Sequence, residues 1–287
     1  MVFRNLLVAL LVVGGLCLSG CGIGRIGIYP GVGRVVDWAA VPADAREVWL
    51  EIEGGDRVPG WLLLGEGRTA ETPGAAVVYM HGNAEVIGDC VERVRPYREM
   101  GVSVLLVEYR GFGRAGGSPS QAGIGADMDR FVDWLVEQPE VDPARMIYHG
   151  RSLGGGVALD LTLRKPPAAL VLSATFTSMP DMFERMGWPG WLATDRYDNL
   201  AAIRQYDGPV LILHGDADAL IPLAQGYALA EAAERGSIVV VPGVGHHGIG
   251  REAGGVFWRG VGAFIQLIVL NQSQTHPVET SSSKIFL

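Results

Sequence analysis

A serine framed by glycines gives the strongest chemical signal in the sequence. Residues 150–154 read Gly-Arg-Ser-Leu-Gly, with Ser152 at the centre. A serine on a sharp strand-to-helix turn needs small neighbours on both sides, and its hydroxyl is then exposed for attack on an acyl carbon. The apolar residues 146–149 run into this turn and a helix-like stretch follows it, which is the setting the pattern requires. We therefore predict that Ser152 is a nucleophile.

A serine hydroxyl attacks only when a base removes its proton, and a carboxylate must orient that base. Around a turn of this kind the carboxylate and then the histidine follow the serine along the chain. Asp218 lies just after the apolar residues 210–214, and His246 just after residues 238–241. The carboxyl ends of parallel strands share one edge of a sheet, where ligand sites collect. We predict a catalytic triad of Ser152, Asp218 and His246.

Neighbouring residues compete for two of these roles. Asp216 could be the orienting carboxylate, with Asp218 only capping the next helix. His247 could replace His246 as the base. Histidines that precede the serine or end an apolar strand are more often buried structural residues than catalytic ones. We expect no catalytic part for three such residues: His81, His149 and His214.

The negative oxygen of a tetrahedral intermediate needs preorganised N–H donors. One donor should be the backbone N–H of Leu153, the residue after the serine. We assign the second to the backbone of Asn83, in the loop that follows the apolar residues 75–80. Loss of one such donor typically costs about 2.7–4 kcal/mol of transition-state stabilisation.

Short apolar runs alternate with helix-like stretches, which predicts the scaffold for these residues. Such alternation is typical of an α/β fold, a mostly parallel twisted sheet with helices on both faces. We expect about eight strands, at residues 47–53, 58–64, 75–80, 102–107, 146–149, 170–173, 210–214 and 238–241. The clearest predicted helices are residues 120–137, 152–163, 222–233 and 255–270.

One domain accounts for residues 45–270. The chain has 287 residues and is 48% hydrophobic, which suffices for one large core. Residues 175–205 interrupt the strand–helix rhythm and contain Trp188 and Trp191, so we predict a short lid there. Residues 271–287 are polar and rich in serine, which predicts a disordered tail.

The N-terminus predicts export and lipid attachment. Arg4 precedes an apolar run that is too short to span a bilayer comfortably and long enough for a signal peptide. Residues 18–21, Leu-Ser-Gly-Cys, resemble the lipobox of bacterial lipoproteins. The resemblance implies a signal peptide over residues 1–20 and lipidation of Cys21, which would anchor the protein to a membrane. An uncleaved N-terminal helix is the alternative.

Residues 21–44 are rich in glycine and are interpreted as a mobile tether. Residues 22–27 and 243–248 both match the dinucleotide fingerprint, but the chain has 41 glycines and the first match follows no strand. We predict no cofactor. Once the signal peptide leaves and Cys21 carries lipid, Cys90 has no cysteine with which to form an internal disulfide.

Charge and composition narrow the class of partner. The formal net charge is −8 and no run of Lys or Arg could follow a phosphate backbone, which argues against nucleic acid. No Cys/His cluster has metal-ligand spacing, so we predict no metal. We expect a monomer that acts on a small acyl-containing substrate. Gly22 follows the lipidated cysteine in place of an acidic residue, which favours the outer membrane in a cell that has one.

Six motifs together resemble the α/β-hydrolase superfamily: residues 81–85, 109–113, 116–120, 150–154, 214–218 and 245–246. The resemblance covers roughly residues 48–270, and the most similar subgroup is lysophospholipase-like and serine-aminopeptidase-like, with protein depalmitoylases among its members. It implies the α/β-hydrolase fold and serine hydrolase chemistry, without specifying a substrate. Glu108 and His247 depart from the Asp and Asn that the family often has there. In the family, Arg110 would hold a structural loop.

Three functions follow as hypotheses. The first is a lipid-anchored serine hydrolase that cleaves carboxylic ester or thioester acyl bonds through an acyl-enzyme. The second keeps the triad but cleaves amides, as an aminopeptidase does. The third is a catalytically silent lipoprotein that binds a ligand, because a fold alone does not specify function.

Overall fold

The computed structural model describes residues 27–34, 41–251 and 255–271. The predicted signal peptide, the lipidation site Cys21 and the tail from residue 272 lie outside these residues. Eight strands form one sheet. They are β1 (Arg46–Glu51), β2 (Arg57–Leu63), β3 (Gly74–Met80), β4 (Ser103–Val107), β5 (Val141–Arg151), β6 (Ala169–Ser173), β7 (Pro209–Gly215) and β8 (Arg235–Val241).

The sheet is parallel except at one edge. Its strand order is β1-β2-β4-β3-β5-β6-β7-β8. The six strands from β3 to β8 pair in parallel, whereas β2 pairs antiparallel with both β1 and β4. The order places β5 at the centre and steps outward in opposite directions on its two sides, which creates a crevice at the carboxyl ends of the strands.

Helices cover both faces of the sheet. They are α1 (Val91–Glu99), α2 (Gln121–Val136), α3 (Leu153–Thr162), α4 (Met179–Arg185), α5 (Asn199–Ile203), α6 (Leu223–Ala232) and α7 (Val256–Asn271). The helices α1 and α7 pack on one face, and α2, α3 and α6 on the other. The predicted fold class, a mostly parallel sheet of about eight strands with helices on both faces, is confirmed. In the described part of the chain, no helix has both the length and the apolar character that crossing a bilayer requires.

Alternation of side chains along the central strands divides the core into two layers. In β3, Val78 and Met80 point into the layer under α2 and α3, while Val77 and Tyr79 point into the layer under α1 and α7. Every residue of β3 is buried, as expected for a parallel strand covered on both faces. The nucleophile turn therefore projects from β5, a central strand that lies beside the fully buried β3.

Residues 27–34 differ from the mobile tether expected for this stretch, because they pack against the domain. The hydroxyl of Tyr29 donates a hydrogen bond to Oδ2 of Asp195 over 2.8 Å, and Tyr29 is buried. The N–H of Gly31 donates to the carbonyl of Asn83 over 2.9 Å. Apolar contact and these hydrogen bonds outweigh the flexibility that the glycine-rich composition suggested.

The segment predicted as a lid lies between β6 and β7. It contains α4, a 3-10 turn at Gly190–Leu192, and α5. Ser178 begins α4 by accepting a hydrogen bond from the N–H of Asp181, and Asp198 caps α5 in the same way. The segment is thus structured and lies beside the carboxyl end of the sheet.

Candidate active site

Steric crowding explains the glycines around Ser152. Ser152 has φ 53° and ψ −118°, a conformation in which a non-glycine residue is strained. A Cβ added to Gly150 would lie 2.2 Å from the carbonyl oxygen of Gly154, and one added to Gly154 would lie 1.9 Å from that of Met80. Neither position therefore accepts a side chain, and the turn holds the serine at the amino end of α3.

Three predicted residues form one hydrogen-bonded line. Nδ1 of His246 lies 2.8 Å from Oδ2 of Asp218. Nε2 of the same ring lies 3.1 Å from the hydroxyl oxygen of Ser152. All three side chains are buried, so the line is shielded from bulk water. A carboxylate that accepts from Nδ1–H leaves Nε2 free to accept the serine proton, which is the arrangement a nucleophilic serine needs.

Hydrogen bonds keep the carboxyl group of Asp218 ionised. Oδ1 accepts from the backbone N–H groups of Leu220 over 3.0 Å and of Ile221 over 2.8 Å. Burial raises the pKa of Asp218, but the hydrogen bonds from His246 and from the Ile221 N–H outweigh burial and leave the pKa below its usual range. A negative charge beside His246 stabilises the imidazolium that forms when the base takes a proton.

The two rival residues lie outside this line. Asp216 is exposed, and its Oδ1 accepts from the N–H of Gly243 over 2.6 Å, so it ties two loops together. His247 is exposed, and its ring stands perpendicular to that of His246 with centroids 5.5 Å apart. The structure brings Asp218 and His246 to Ser152, and places both rivals elsewhere.

The predicted oxyanion donors lie beside the turn. Leu153 is the first residue of α3, so its N–H has no partner within the helix. The loop after β3 packs against this helix end, because a Cβ on Gly154 would meet the carbonyls of both Met80 and His81. Asn83 belongs to that loop, and its carbonyl is held by the N-terminal segment. The donor role of both backbone groups remains a prediction.

A buried ion-pair network behind the site was not predicted. Oε2 of Glu85 lies 2.9 Å from Nη1 of Arg151, and Oε1 lies 2.7 Å from Nη2 of Arg93. Arg151 also donates from Nη2 to the backbone carbonyl of His246 over 2.9 Å. Glu85 and Arg151 both belong to recognised motifs, but nothing in the sequence indicated that they pair across 66 residues.

Glu85 is held as a carboxylate. Burial raises its pKa, but Arg151 and Arg93 outweigh burial and lower the pKa to about 2. Oε2 also accepts from the N–H of Gly82 over 2.9 Å, at the start of the loop that carries Asn83. One carboxylate therefore fixes both the loop after β3 and the arginine that contacts His246.

His81 lies beneath the same loop, between Glu108 and the carbonyl of Gly82. Its Nε2 lies 2.7 Å from Oε1 of Glu108, and its Nδ1 lies 2.8 Å from the carbonyl of Gly82. The Gly82 carbonyl can only accept, so Nδ1 of His81 donates to it, and Glu108 accepts a further hydrogen bond from the N–H of Ile87 over 3.2 Å. Burial lowers the pKa of His81, but Glu108 raises it more, and the net shift is upward.

Two other histidines lie in the core. His149 contacts the Tyr97 hydroxyl over 2.8 Å and the Ser173 hydroxyl over 3.0 Å, and burial lowers its pKa to about 3. His214 lies 2.8 Å from the carbonyl of Ile221 through Nε2, while its Nδ1 has no hydrogen-bond partner. Burial also lowers the pKa of His214, so both rings are neutral.

Arg110 lies in a structural contact, as its motif implied. Its guanidinium makes two hydrogen bonds to the buried carboxylate of Asp127, over 2.8 and 2.6 Å. Among residues 27–34, 41–251 and 255–271, no three His, Cys, Asp or Glu side chains are grouped in a way that would hold a metal ion.

Comparisons with known proteins place the chain in a family. The family described as serine aminopeptidase, S33, matches residues 71–201. An α/β-hydrolase domain-containing protein of Arabidopsis thaliana, WAV2, is 30% identical over 237 residues, which are 75% of this chain and 76% of that protein. The chain belongs to the α/β-hydrolase superfamily.

Individual relatives come from distant organisms. An uncharacterized protein of Mycobacterium tuberculosis, MT2364, is 38% identical over 229 residues, 78% of this chain and 80% of that protein. The esterase PF2001 of Pyrococcus furiosus has TM-score 0.64 at 18% identity, covering 82% of this chain and 95% of its own. Est1E of Butyrivibrio proteoclasticus with bound ferulic acid has TM-score 0.64 at 17% identity, and the match covers 79% of this chain and 99% of Est1E. At such identities the two structures share the fold alone.

Proposed function

We propose that the protein is a serine hydrolase that cleaves carboxylic ester or thioester bonds through an acyl-enzyme. The observation that supports it most is the line from Asp218 through His246 to Ser152, with contacts of 2.8 and 3.1 Å. Among the described residues, Ser173 also makes a hydrogen bond with a buried histidine, His149. The other ring nitrogen of His149 contacts the hydroxyl of Tyr97, so no carboxylate orients that ring.

Each residue has one task in the proposed reaction. The hydroxyl of Ser152 attacks the acyl carbon while Nε2 of His246 takes its proton, and Asp218 stabilises the resulting imidazolium. The N–H groups of Leu153 and Asn83 hold the negative oxygen of the tetrahedral intermediate. His246 then returns the proton to the leaving alcohol or thiol, and water releases the acyl group by the same steps.

A fluorophosphonate probe tests the nucleophile. Wild-type protein should be labelled covalently, and Ser152→Ala should lose both labelling and hydrolysis of p-nitrophenyl esters. Ser118→Ala, at an exposed serine, is the matched control and should keep both. Labelling that persists in Ser152→Ala would refute the assignment.

Amide cleavage is the second candidate, because the matching family is described as serine aminopeptidase. The same triad serves ester and amide substrates. A panel of peptide amides run beside a panel of esters on wild-type protein distinguishes the two, with a higher kcat/KM on esters expected.

The proposal also includes where in the cell the enzyme acts. We propose that Cys21 carries lipid and anchors the enzyme in a bacterial cell envelope, at the periplasmic face of the outer membrane where one exists. The lipobox-like residues 18–21 support it. Tritiated palmitate should label wild-type protein and fail to label Cys21→Ser, whereas Cys90→Ser should be labelled normally.

A further inference from the structure

The lid and the neighbouring loop after β7 expose large apolar side chains. Trp191 is 77% exposed, Trp188 58%, Met186 49% and Leu220 45%. Single exposed apolar residues are ordinary on protein surfaces, but two tryptophans within four residues on one turn are not. We call Met186, Trp188, Trp191 and Leu220 the lid patch.

Hydrogen bonds hold the lid patch in place. The N–H of Trp188 donates to the carbonyl of Phe183 over 2.9 Å, so the chain folds back onto α4. Arg185, the last residue of α4, donates to the carbonyls of Ala219 and Leu220, each over 3.2 Å. Leu220 follows Asp218 by two residues, so the lid patch adjoins the loop that orients His246.

The N-terminal segment reaches the same part of the molecule. A Cβ on Gly27 would lie 3.7 Å from the ring of Phe183, in α4. Tyr29 is hydrogen-bonded to Asp195, further along the lid. Cys21 precedes Gly27 by six residues. Because an extended chain spans at most about 3.5 Å per residue, lipid on Cys21 would lie within roughly 20 Å of Gly27.

We propose that the lid patch lies in the interfacial layer of the membrane that holds the lipid anchor, and that it presents the active site to esters carried in that bilayer. The proposal rests on the proposed lipid anchor and serine hydrolase function. Tryptophan favours the boundary between hydrocarbon and headgroups, because its ring is apolar and its N–H is polar. A short chain between anchor and lid would keep the lid patch at this depth.

A second copy of the chain fits the lid patch less well than a membrane does. Two tryptophans and two aliphatic side chains expose on the order of 500 Å². A stable protein interface buries about 800 Å² on each partner. Partial insertion into a bilayer has no such minimum area, because membrane affinity increases with each apolar group buried. The lipid anchor also lowers the entropic cost of bringing the lid patch to the membrane.

Tryptophan quenching tests contact with the bilayer without any catalysis. Full-length lipidated protein is reconstituted into phosphatidylcholine vesicles whose acyl chains carry bromine, which quenches tryptophan on contact. Wild-type fluorescence should fall relative to unbrominated vesicles, and Trp188→Phe/Trp191→Phe should lose at least half of that fall. No quenching in wild type, or equal quenching in both proteins, overturns the proposal.

Hydrolysis tests the consequence for substrate. Trp188→Gln/Trp191→Gln should lower hydrolysis of an acyl ester embedded in vesicles at least about tenfold, while hydrolysis of a soluble short-chain ester and probe labelling stay unchanged. Leu163→Gln/Met100→Gln removes two other exposed apolar side chains and should change neither rate. Equal loss on both substrates, or a dimer in detergent that the lid variant dissociates, contradicts membrane docking. Absence of labelling in wild type would instead reject the serine hydrolase.

Discussion

Arg151 and His246 are joined by a hydrogen bond of 2.9 Å from Nη2 of the arginine to the backbone carbonyl of the histidine. The residue before the nucleophile thus holds the backbone of the base, although the two are 95 residues apart in the chain. The same guanidinium pairs with Glu85, which fixes the loop after β3. One buried cation therefore aligns three loops at the edge of the sheet.

Removal of this cation should impair both folding and catalysis. Arg151→Met leaves Glu85 with Arg93 alone and should lower the free energy of unfolding by about 3 kcal/mol. It also frees the backbone of His246, and a misplacement of about 1 Å can lower kcat about 100-fold. Urea denaturation and ester kinetics measure the two effects. Arg110→Met, which breaks an ion pair away from the triad, should lower stability and leave kcat unchanged in the folded fraction.

The orienting carboxylate can be identified by a pair of amide substitutions. Asp218→Asn keeps the shape of the side chain but no longer stabilises the imidazolium, so kcat should fall about 10⁴-fold. Asp216→Asn changes a carboxylate that only ties two loops, and kcat should stay within about threefold of wild type. A greater loss in the second variant than in the first would reverse the assignment. Ester hydrolysis under saturating substrate is the measurement.

The strands and the triad could be predicted because they depend on local patterns. Buried parallel strands appear as short apolar runs, and Ser152, Asp218 and His246 follow such runs in the order that the fold requires. Helix α1 was not among the clearest predicted helices, because its sequence is largely charged and contains Pro96, which leaves only a narrow apolar stripe. The pairing of Glu85 with Arg151 could not be predicted either, since it depends on how distant loops meet.

The packing at the nucleophile turn predicts a large effect from one methyl group. Gly154→Ala places a Cβ 1.9 Å from the carbonyl oxygen of Met80 and 2.8 Å from that of His81. Because backbone atoms cannot move aside as a side chain can, the substitution should lower the free energy of unfolding by about 3 kcal/mol or more. Gly262→Ala makes the same change in α7, where the nearest atom lies at 3.4 Å, and should gain about 0.5–1 kcal/mol from helix propensity. Thermal unfolding compares the two. Equal stability of Gly154→Ala and wild type would mean that the turn is built differently.

The buried carboxylate of Glu85 should make the protein sensitive to acid. Its pKa is lowered from 4.5 to about 2 in the folded state, so the stabilisation is complete above about pH 4.5 and is lost as the pH falls towards 2. A shift of this size corresponds to on the order of 3 kcal/mol. Glu85→Gln has no proton to bind there, so it should be less stable than wild type at neutral pH, and the difference should shrink as the pH falls. Urea denaturation between about pH 6 and about pH 3 measures it. Glu92→Gln, at a carboxylate that is 84% exposed, should follow the wild-type pH dependence, and parallel curves for Glu85→Gln and wild type would contradict the prediction.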